Sequence, residues 1–404
     1  MSVFATGINT CRLDLMNSLA NITNVSLVAP SLFHRDGIGH AVLSTRLALK
    51  QIGLDAAIFC RRSDFDDSDI VIFDDTLSLL TNERYLNSDV IIFFVGISHK
   101  IFDAIWIGNG NALKIVRFHN ITPSNIACEV PATLPGTTHL DYPHFIHGAD
   151  VIWCDSEFNR RAVIDQGASA QVIPLPVRSI RRSPKRWSAE RLIKIVYVGR
   201  LVKSKNLKDL LLAVEILATT GTFSVQLTIA SSSRHADASI LRMIKEQTHN
   251  ATRAYRLRLK LDLSQSALDR LYRNSDIFAT ASLHEGFCIP VLEALSAGAL
   301  PVTYSNSNLQ YIGGGLSVLS HNDTPSALAA ALQKASHMLL NRPADDHEPY
   351  LEVAAGTFSF VEFDAAAGAY LQNFTLNALG SQMIRSIDLN TSRRRPRHAN
   401  SCSS

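Results

Sequence analysis

Glu285-Gly286-Phe287-Cys288-Ile289-Pro290-Val291-Leu292-Glu293 sets two carboxylates eight positions apart, the first in a glycine-containing loop and the second just inside a helix. Pro290 has no backbone N–H and a fixed φ, so it suits the first helical turn, where that donor would be orphaned anyway. On this reading Glu293 lies in the first turn and Glu285 upstream of it, with Gly286 free to take an unusual backbone angle. Both carboxylates then face one cleft beside the positive end of a helix, where an anionic ligand is favoured. A carboxylate is also a natural acceptor for the vicinal diol of a ribose or a hexose. The stretch therefore predicts a site for a sugar attached to a phosphate.

Outward from it, short β-branched runs alternate with helical patterns nearly from end to end. Val25 to Val28, Asp69 to Phe73, Asp89 to Val95, Lys114 to Phe118 and Val151 to Cys154 read as strands, several of them continuous apolar runs expected to be covered on both faces. Helices are expected from about Ala41 to Ile52 and from the N-cap Ser156 to near Gly167. A second series starts at Ile193 to Val198 and runs through Ser224 to Ala230, Arg256 to Leu261, Ile277 to Thr280 and Leu300 to Thr303. This βα alternation predicts an α/β chain of two Rossmann-like domains facing an interdomain cleft. The expected divisions are an acceptor-side domain over 1–177 (with an extension over 1–23), a basic linker over 178–190 and a nucleotide-sugar domain over 191–359. A helix over 360–378 is expected to cross back to the N-terminal domain, followed by a disordered basic tail over 379–404. Ligands of open α/β sheets bind at the carboxyl ends of the strands, and every polar motif below falls at such an end.

Composition agrees with that frame. The chain has 404 residues, 46% of them hydrophobic and 19% charged, which suits two globular domains and argues against a disordered or fibrous protein. A net charge of +3 is too small to make nucleic acid the main partner. The six cysteines show no paired spacing and no zinc-type grouping with histidine, which reads as a reduced, cytoplasmic protein. No run of about 18 apolar residues occurs, and the N-terminus lacks the pattern of a signal peptide. Basic clusters at Arg178 to Arg191 and Arg393 to Arg397 read as solvated segments or as peripheral contacts with the cytoplasmic face of the inner membrane.

Two cations and a histidine join the carboxylates. Gly199-Arg200 follows the strand Ile193 to Val198, and Lys205 lies five positions further on, so both side chains can meet a diphosphate and absorb the charge it gains on leaving. His119 ends the strand Lys114 to Phe118, where it can hydrogen-bond a sugar hydroxyl or a developing charge. Gly37 and Gly39 offer backbone N–H groups at a helix start. Val42 occupies the third glycine position of a dinucleotide fingerprint, so NAD is a weak reading and a tight glycine turn is the plain alternative. His34, Arg35 and His40 stand near enough in sequence to touch an acceptor. The acids Asp64, Asp66, Asp67, Asp69, Asp74 and Asp75 flank a strand instead of grouping, and no metal is assigned to them.

These residues resemble retaining glycosyltransferase family 4, of the GT-B fold and the glycosyltransferase group 1, and in particular bacterial mannosyltransferase-like members. The resemblance rests on Gly199-Arg200 with Lys205, on Ser275-Asp276 through Ser282, Glu285-Gly286-Phe287, Pro290, Glu293-Ala294 and Gly298 to Pro301-Val302, and on Phe118 to Pro123 and Ser156 to Arg160. It implies a hexose moved with retention from a nucleotide-diphosphate sugar, GDP-mannose-type or UDP-linked, to a saccharide or lipid-linked acceptor in surface polysaccharide assembly. It implies no resident cofactor. Arg200 and Lys205 would stabilise the leaving diphosphate, and Glu285 would address the donor sugar beside the N–H groups of Gly286 and Phe287. Glu293 would hold the ribose, His119 would sit beside the reacting sugar, and Gly37 and Gly39 would lie near the phosphates. The chain departs from the family at Ala230-Ser-Ser-Ser-Arg234, where glycines are usual, and at Tyr304 to Asn308, where a second acid is common. The rival readings are an inactive GT-B-like scaffold and a sugar-nucleotide epimerase or phosphorylase.

Overall fold

The computed structural model describes residues 22–34, 36–107, 109–127, 137–138, 144–180, 192–234, 236–248, 254–341 and 351–394. The chain divides into two compact units. The first comprises the residues up to Ile121, Val130–Pro176 and the residues from Phe374 onward; the second comprises Thr122–Glu129 and Val177–Asn373.

The first unit is built on seven strands: β1 (Asn24–Val28), β2 (Asp55–Cys60), β3 (Ile70–Ile72), β4 (Val90–Val95), β5 (Leu113–Phe118), β6 (Val151–Cys154) and β7 (Gln171–Val172). They pair in the order β3-β2-β1-β4-β5-β6-β7, every neighbour parallel. β4 is apolar at every position and buried throughout, as a strand covered on both faces must be. Helix α1 (Gly37–Gln51) follows β1, capped by Asp36, whose carboxylate accepts the Gly39 N–H. Helix α2 (Glu157–Ile164) follows β6 under the N-cap Ser156. Trp153, Phe59, Phe93 and Phe94 are fully buried in this unit.

The second unit repeats the plan. Its strands β8 (Leu192–Val198), β9 (Ser224–Ser231), β10 (Arg256–Leu261), β11 (Ile277–Thr280), β12 (Leu300–Thr303) and β13 (Val318–Leu319) pair in the order β10-β9-β8-β11-β12-β13, again all parallel. Helices α3 (Leu207–Thr220), α4 (Ala238–Thr248), α5 (Gln265–Arg273), α6 (Ile289–Ala297), α7 (Pro325–Leu340) and α8 (Phe360–Leu371) connect and follow them. In both sheets the chain starts in the middle, works to one edge and returns to fill the other side. That order creates a switch point, between β1 and β4 in one unit and between β8 and β11 in the other, where loops diverge and leave a crevice.

Several expectations change. β2 is a full central-side strand that the sequence reading passes over, and β3 is an edge strand with Ile72 exposed instead of covered on both faces. α8 stays with the second unit, packing on α6. The tail expected to be irregular from 379 is helix α9 (Leu376–Arg394), which packs on α1 in the first unit and buries Leu379, Met383 and Ile387. Of the expected basic linker over 178–190, residues 181–190 lie outside the described residues, as do Arg35, Arg191, Arg395 and Arg397.

Candidate functional site

The second unit gathers its polar motifs at the switch point of its sheet. β8 ends at Val198 and hands the chain to Gly199 and Arg200. A side chain at Gly199 would place its Cβ 2.6 Å from the Tyr197 hydroxyl, which donates to the Arg200 carbonyl at 2.9 Å. Any larger residue at this exit from the strand would have to displace the Tyr197 ring. Arg200 is exposed, and burial pushes the Tyr197 phenol well above its usual value, with Glu285 acting in the same direction and Arg200 against it. A single helical turn, Lys203–Lys205, then brings Lys205 back, ending in Asn206 with a left-handed φ of 48°.

Lys205 meets Glu285 there. Its Nζ lies 2.6 Å from the Glu285 Oε1, with the two side chains 16% and 12% exposed. The pair joins the β8 exit to the loop after β11, the two strands that flank the switch point. Ser307 and Asn308, after β12, hold that loop in place. The Glu285 N–H donates to Ser307 Oγ at 3.0 Å, and the Asn308 side chain donates to the Phe287 carbonyl at 3.0 Å. The polar segment that departs from the family pattern therefore has a local role: it braces the loop that carries Glu285, Gly286 and Phe287. The other departure behaves similarly, since Ser233 donates its N–H to Asp262 Oδ1 at 3.1 Å.

α6 begins after Cys288, which takes a left-handed φ of 73° although it has a side chain. Burial pushes its thiol well above the usual value, with Glu285 acting in the same direction, so it is no nucleophile. Burial likewise lowers the His284 imidazole, with Glu285 opposing. Glu293 is the fifth residue of α6, just past the first turn in which the sequence reading placed it, and the first turn holds no acid. Its Oε1 lies 3.0 Å from Arg178, which also reaches Asp269 at 2.9 Å. Burial raises the Glu293 carboxyl above its ordinary range, and Arg178 works against that shift. Arg178, read from sequence as part of a basic cluster, is thus an ion-pair partner of a site residue.

In the first unit His119 follows β5 as expected and is nearly buried. Its Nδ1 lies 2.5 Å from Asp155 Oδ2, and Asp155 Oδ1 lies 3.1 Å from the Arg117 guanidinium. Arg117 and Asp155 are both fully buried, and Arg117 donates to the Ile173 carbonyl at 2.9 Å. The His119 ring stacks on Phe94 at 5.8 Å, and its Nε2 has no hydrogen-bond partner among the described residues. Burial lowers the Arg117 guanidinium, with Asp155 opposing. The sequence reading missed Arg117 and Asp155. The signal was available in the register: Phe118 pairs with Cys154, so the next residue of each strand, His119 and Asp155, must be neighbours.

Gly37 and Gly39 open α1. Gly39 sits where a Cβ would approach the Phe33 carbonyl oxygen to 2.6 Å, and its N–H is already given to Asp36 at 3.1 Å. Gly39 is therefore a packing glycine whose donor is taken, whereas a Cβ at Gly37 would meet nothing within 4 Å. His40 bonds the Pro176 carbonyl at 2.8 Å, and His34 packs on Phe65. Asp67 and Asp69 pair with Arg46, and Asp75 caps a helix over Thr76–Leu80, so these acids serve local structure. Among the described residues no group of three or more His, Cys, Asp or Glu side chains is arranged to hold a metal ion.

Residues 180–343 match the family model for glycosyl transferases, group 1. The second unit carries a group 1 glycosyltransferase domain. Structural likeness extends over both units. A sucrose-phosphate synthase from Thermosynechococcus elongatus aligns at 15% identity over 92% of this chain and 100% of that one, with a TM-score of 0.63. The E. coli trehalose-6-phosphate structure bound with UDP-2-fluoro glucose aligns at 13% identity over 90% and 99%, with a TM-score of 0.59. WaaG, a glycosyltransferase involved in lipopolysaccharide biosynthesis, aligns at 11% identity over 90% and 99%, with a TM-score of 0.57. A comparison with curated protein sequences gives no match. At these identities the likeness establishes the fold, which is the GT-B fold of glycosyltransferases, and the group 1 domain supports a transferase.

Proposed function

We propose that the protein transfers a hexose, with retention, from a nucleotide-diphosphate sugar to a saccharide or lipid-linked saccharide acceptor in surface polysaccharide assembly. The observation that carries the reading is the Lys205–Glu285 pair at the β8/β11 switch point, with Arg200 at the neighbouring strand exit. A donor diphosphate would take over Lys205 and Arg200, freeing Glu285 for the hydroxyls of the sugar. Glu293 is assigned to the ribose, with Arg178 and Asp269 setting its orientation. Gly286 and Phe287 are assigned to backbone contacts with the sugar. In the first unit His119 is assigned to a sugar hydroxyl, its Nδ1 already committed to Asp155, and Gly37 to a phosphate contact.

In this reading the anomeric carbon's bond to the diphosphate oxygen breaks as the acceptor hydroxyl adds from the same face. The departing diphosphate oxygen takes the acceptor proton, and no enzymic nucleophile and no resident cofactor are needed. The cations Arg200 and Lys205 stabilise the charge that develops on the leaving group. The UDP-2-fluoro glucose bound to one structural relative and the role of another in lipopolysaccharide biosynthesis favour a nucleotide sugar and a surface glycan. A GDP-linked mannose-type donor and a UDP-linked one remain the two donor classes. No helix among the described residues is long and apolar enough to cross a membrane. The reading places the protein in the cytoplasm, at the inner membrane face when the acceptor is lipid-linked.

A thermal-shift series with UDP, GDP, ADP and their sugars tests the donor. A ligand held at 100 times its dissociation constant adds about 2.7 kcal/mol, so the matching nucleotide raises Tm. The absence of a shift with all of them overturns the donor assignment. Turnover of the stabilising nucleotide sugar with no acceptor present would favour the epimerase reading. Product anomeric configuration, read by NMR coupling constants, tests retention.

A further inference from the structure

Away from the Lys205–Glu285 pair, the sheet of the second unit carries an uncompensated basic cavity. Register places Lys194 of β8 beside Gln226 of β9, and Gln226 beside Arg256 of β10. Side chains alternate between the faces of a strand, so Arg258 and Lys260 stand on the same face as Arg256. Helix α5 adds Arg270, and sheet and helix together border a half-open cavity of about 700 Å³. All five cations line it, and no acidic residue does. None of the five forms an ion pair among the described residues, although acids lie nearby in sequence: Asp269 is taken by Arg178, and Asp276 accepts the Lys194 backbone N–H.

That arrangement is costly without a counter-charge. Arg256, Arg258 and Lys260 are about 7 Å apart in succession, at ~3.3 Å of rise per residue, which is inside the screening length of about 8 Å at physiological salt. Like charges so placed repel one another, and a protein surface normally intersperses the two signs. Arginine contributes three of the five, and its planar fork matches phosphate oxygens in pairs. The Lys194 end lies six residues before Arg200 along an extended strand, a span of about 20 Å, while the Lys260 end is level with Val198, two strands away across the sheet.

We propose that this cavity is a second anion site, distinct from the donor site, and that it takes a discrete phosphate-bearing group of two or more charges, such as a diphosphate. The group is either free in solution or the headgroup of an anionic lipid; the chemistry that binds it is the same.

The experiment is an isothermal titration of the full chain with inorganic pyrophosphate, followed by vesicle co-sedimentation. Arg200→Ala/Lys205→Ala removes the proposed clamp and is expected to leave one pyrophosphate site. Arg256→Glu/Arg258→Glu, at exposed positions, is expected to weaken that remaining site at least ~10-fold, in line with the loss of two charge-assisted contacts. The same reversal at Arg242 and Lys245, outside the cavity, is expected to leave it unchanged and so separates a local site from general electrostatics. Circular dichroism of each variant checks folding, and Arg256→Gln/Arg258→Gln supplies a milder second test. Unaltered pyrophosphate binding in both Arg256/Arg258 variants overturns the proposal, as does complete loss of binding in Arg200→Ala/Lys205→Ala alone. Co-sedimentation with phosphatidylglycerol vesicles that is abolished by Arg256→Glu/Arg258→Glu assigns the phosphate to lipid. Pyrophosphate binding without co-sedimentation assigns it to a soluble ligand. A failure of Arg200 and Lys205 to bind pyrophosphate bears on the donor reading and leaves this site standing.

Discussion

Lys205 and Glu285 neutralise each other in the ligand-free protein, so each is held in place until a donor supplies its replacement. The arrangement predicts two separable effects. Lys205→Ala lowers kcat by at least ~100-fold, the usual loss when a charge-stabilising donor is removed. It also leaves a nearly buried carboxylate unpaired, at a cost of about 3 kcal/mol, the low end for a broken buried pair. Adding Glu285→Ala to Lys205→Ala restores much of the stability and none of the turnover. Urea unfolding and steady-state kinetics on the same three variants check both halves, and near-normal turnover in Lys205→Ala removes it from the clamp.

Glu293 is governed by the opposite balance, because burial outweighs Arg178 and raises its carboxyl above the ordinary value of 4.5. A carboxyl raised in the folded state holds its proton more tightly there than in the unfolded chain. Its contribution to stability is therefore full below 4.5 and is lost as pH rises through the folded value. Glu293→Gln cannot titrate, so its stability relative to wild type should become more favourable as pH climbs from 4.5 towards 8. Unfolding curves at three pH values measure the slope, and a slope of the opposite sign would show that the Arg178 pair dominates. The two carboxylates of the opening stretch thus part company physically: one is paired near an exit loop, the other is buried in a helix.

At the scale of elements, what the sequence made legible follows the strength of its patterns. β4 is readable because it is buried on both faces and therefore uniformly apolar, and β5 because its apolar residues are interrupted only by Lys114 and Arg117. β2 begins at an exposed Asp55 only three residues after the helix pattern ends, so its apolar run merges with the end of α1. α9 is polar on average, and its few apolar residues become informative only once α1 is there to receive them. The site divides in the same way. Glu285, Lys205 and Arg200 are visible as charges at strand exits, whereas Asp155 and Arg117 depend on the pairing of β5 with β6, which no local pattern reveals.

That pairing yields a prediction of its own. Arg117 and Asp155 are fully buried, and deleting one partner leaves a charge with no water to compensate it. Asp155→Ala should cost about 3–5 kcal/mol, while Arg117→Met with Asp155→Leu should recover most of the loss, because a well-packed apolar pair dispenses with both desolvation costs. Chemical denaturation of the single and double variants decides. A double variant as unstable as the single would mean that Arg117 acts mainly through its bond to the Ile173 carbonyl.

Across the whole molecule, the two units share a strand order but differ in how their last helix is supplied. The second unit is closed by α8, its near neighbour in sequence, whereas the first unit receives α9 from the far end of the chain. α9 buries Leu379, Met383 and Ile387, each worth about 1.5–3 kcal/mol when fully buried, before the cost of ordering the helix. It also supplies Ser386, whose hydroxyl accepts the Trp153 indole N–H at 2.8 Å from inside the core. Whole domains are stable by only about 5–15 kcal/mol, so a deletion of 376–404 should remove a decisive share from the first unit alone. The expected outcome is a two-step thermal profile with an early transition, and limited proteolysis that leaves a resistant fragment spanning most of 177–373. A nucleotide diphosphate that binds at Arg200 and Lys205 should raise only the later transition. If both units unfold together and the nucleotide shifts the single transition, the first unit's stability does not rest on α9 as its packing indicates.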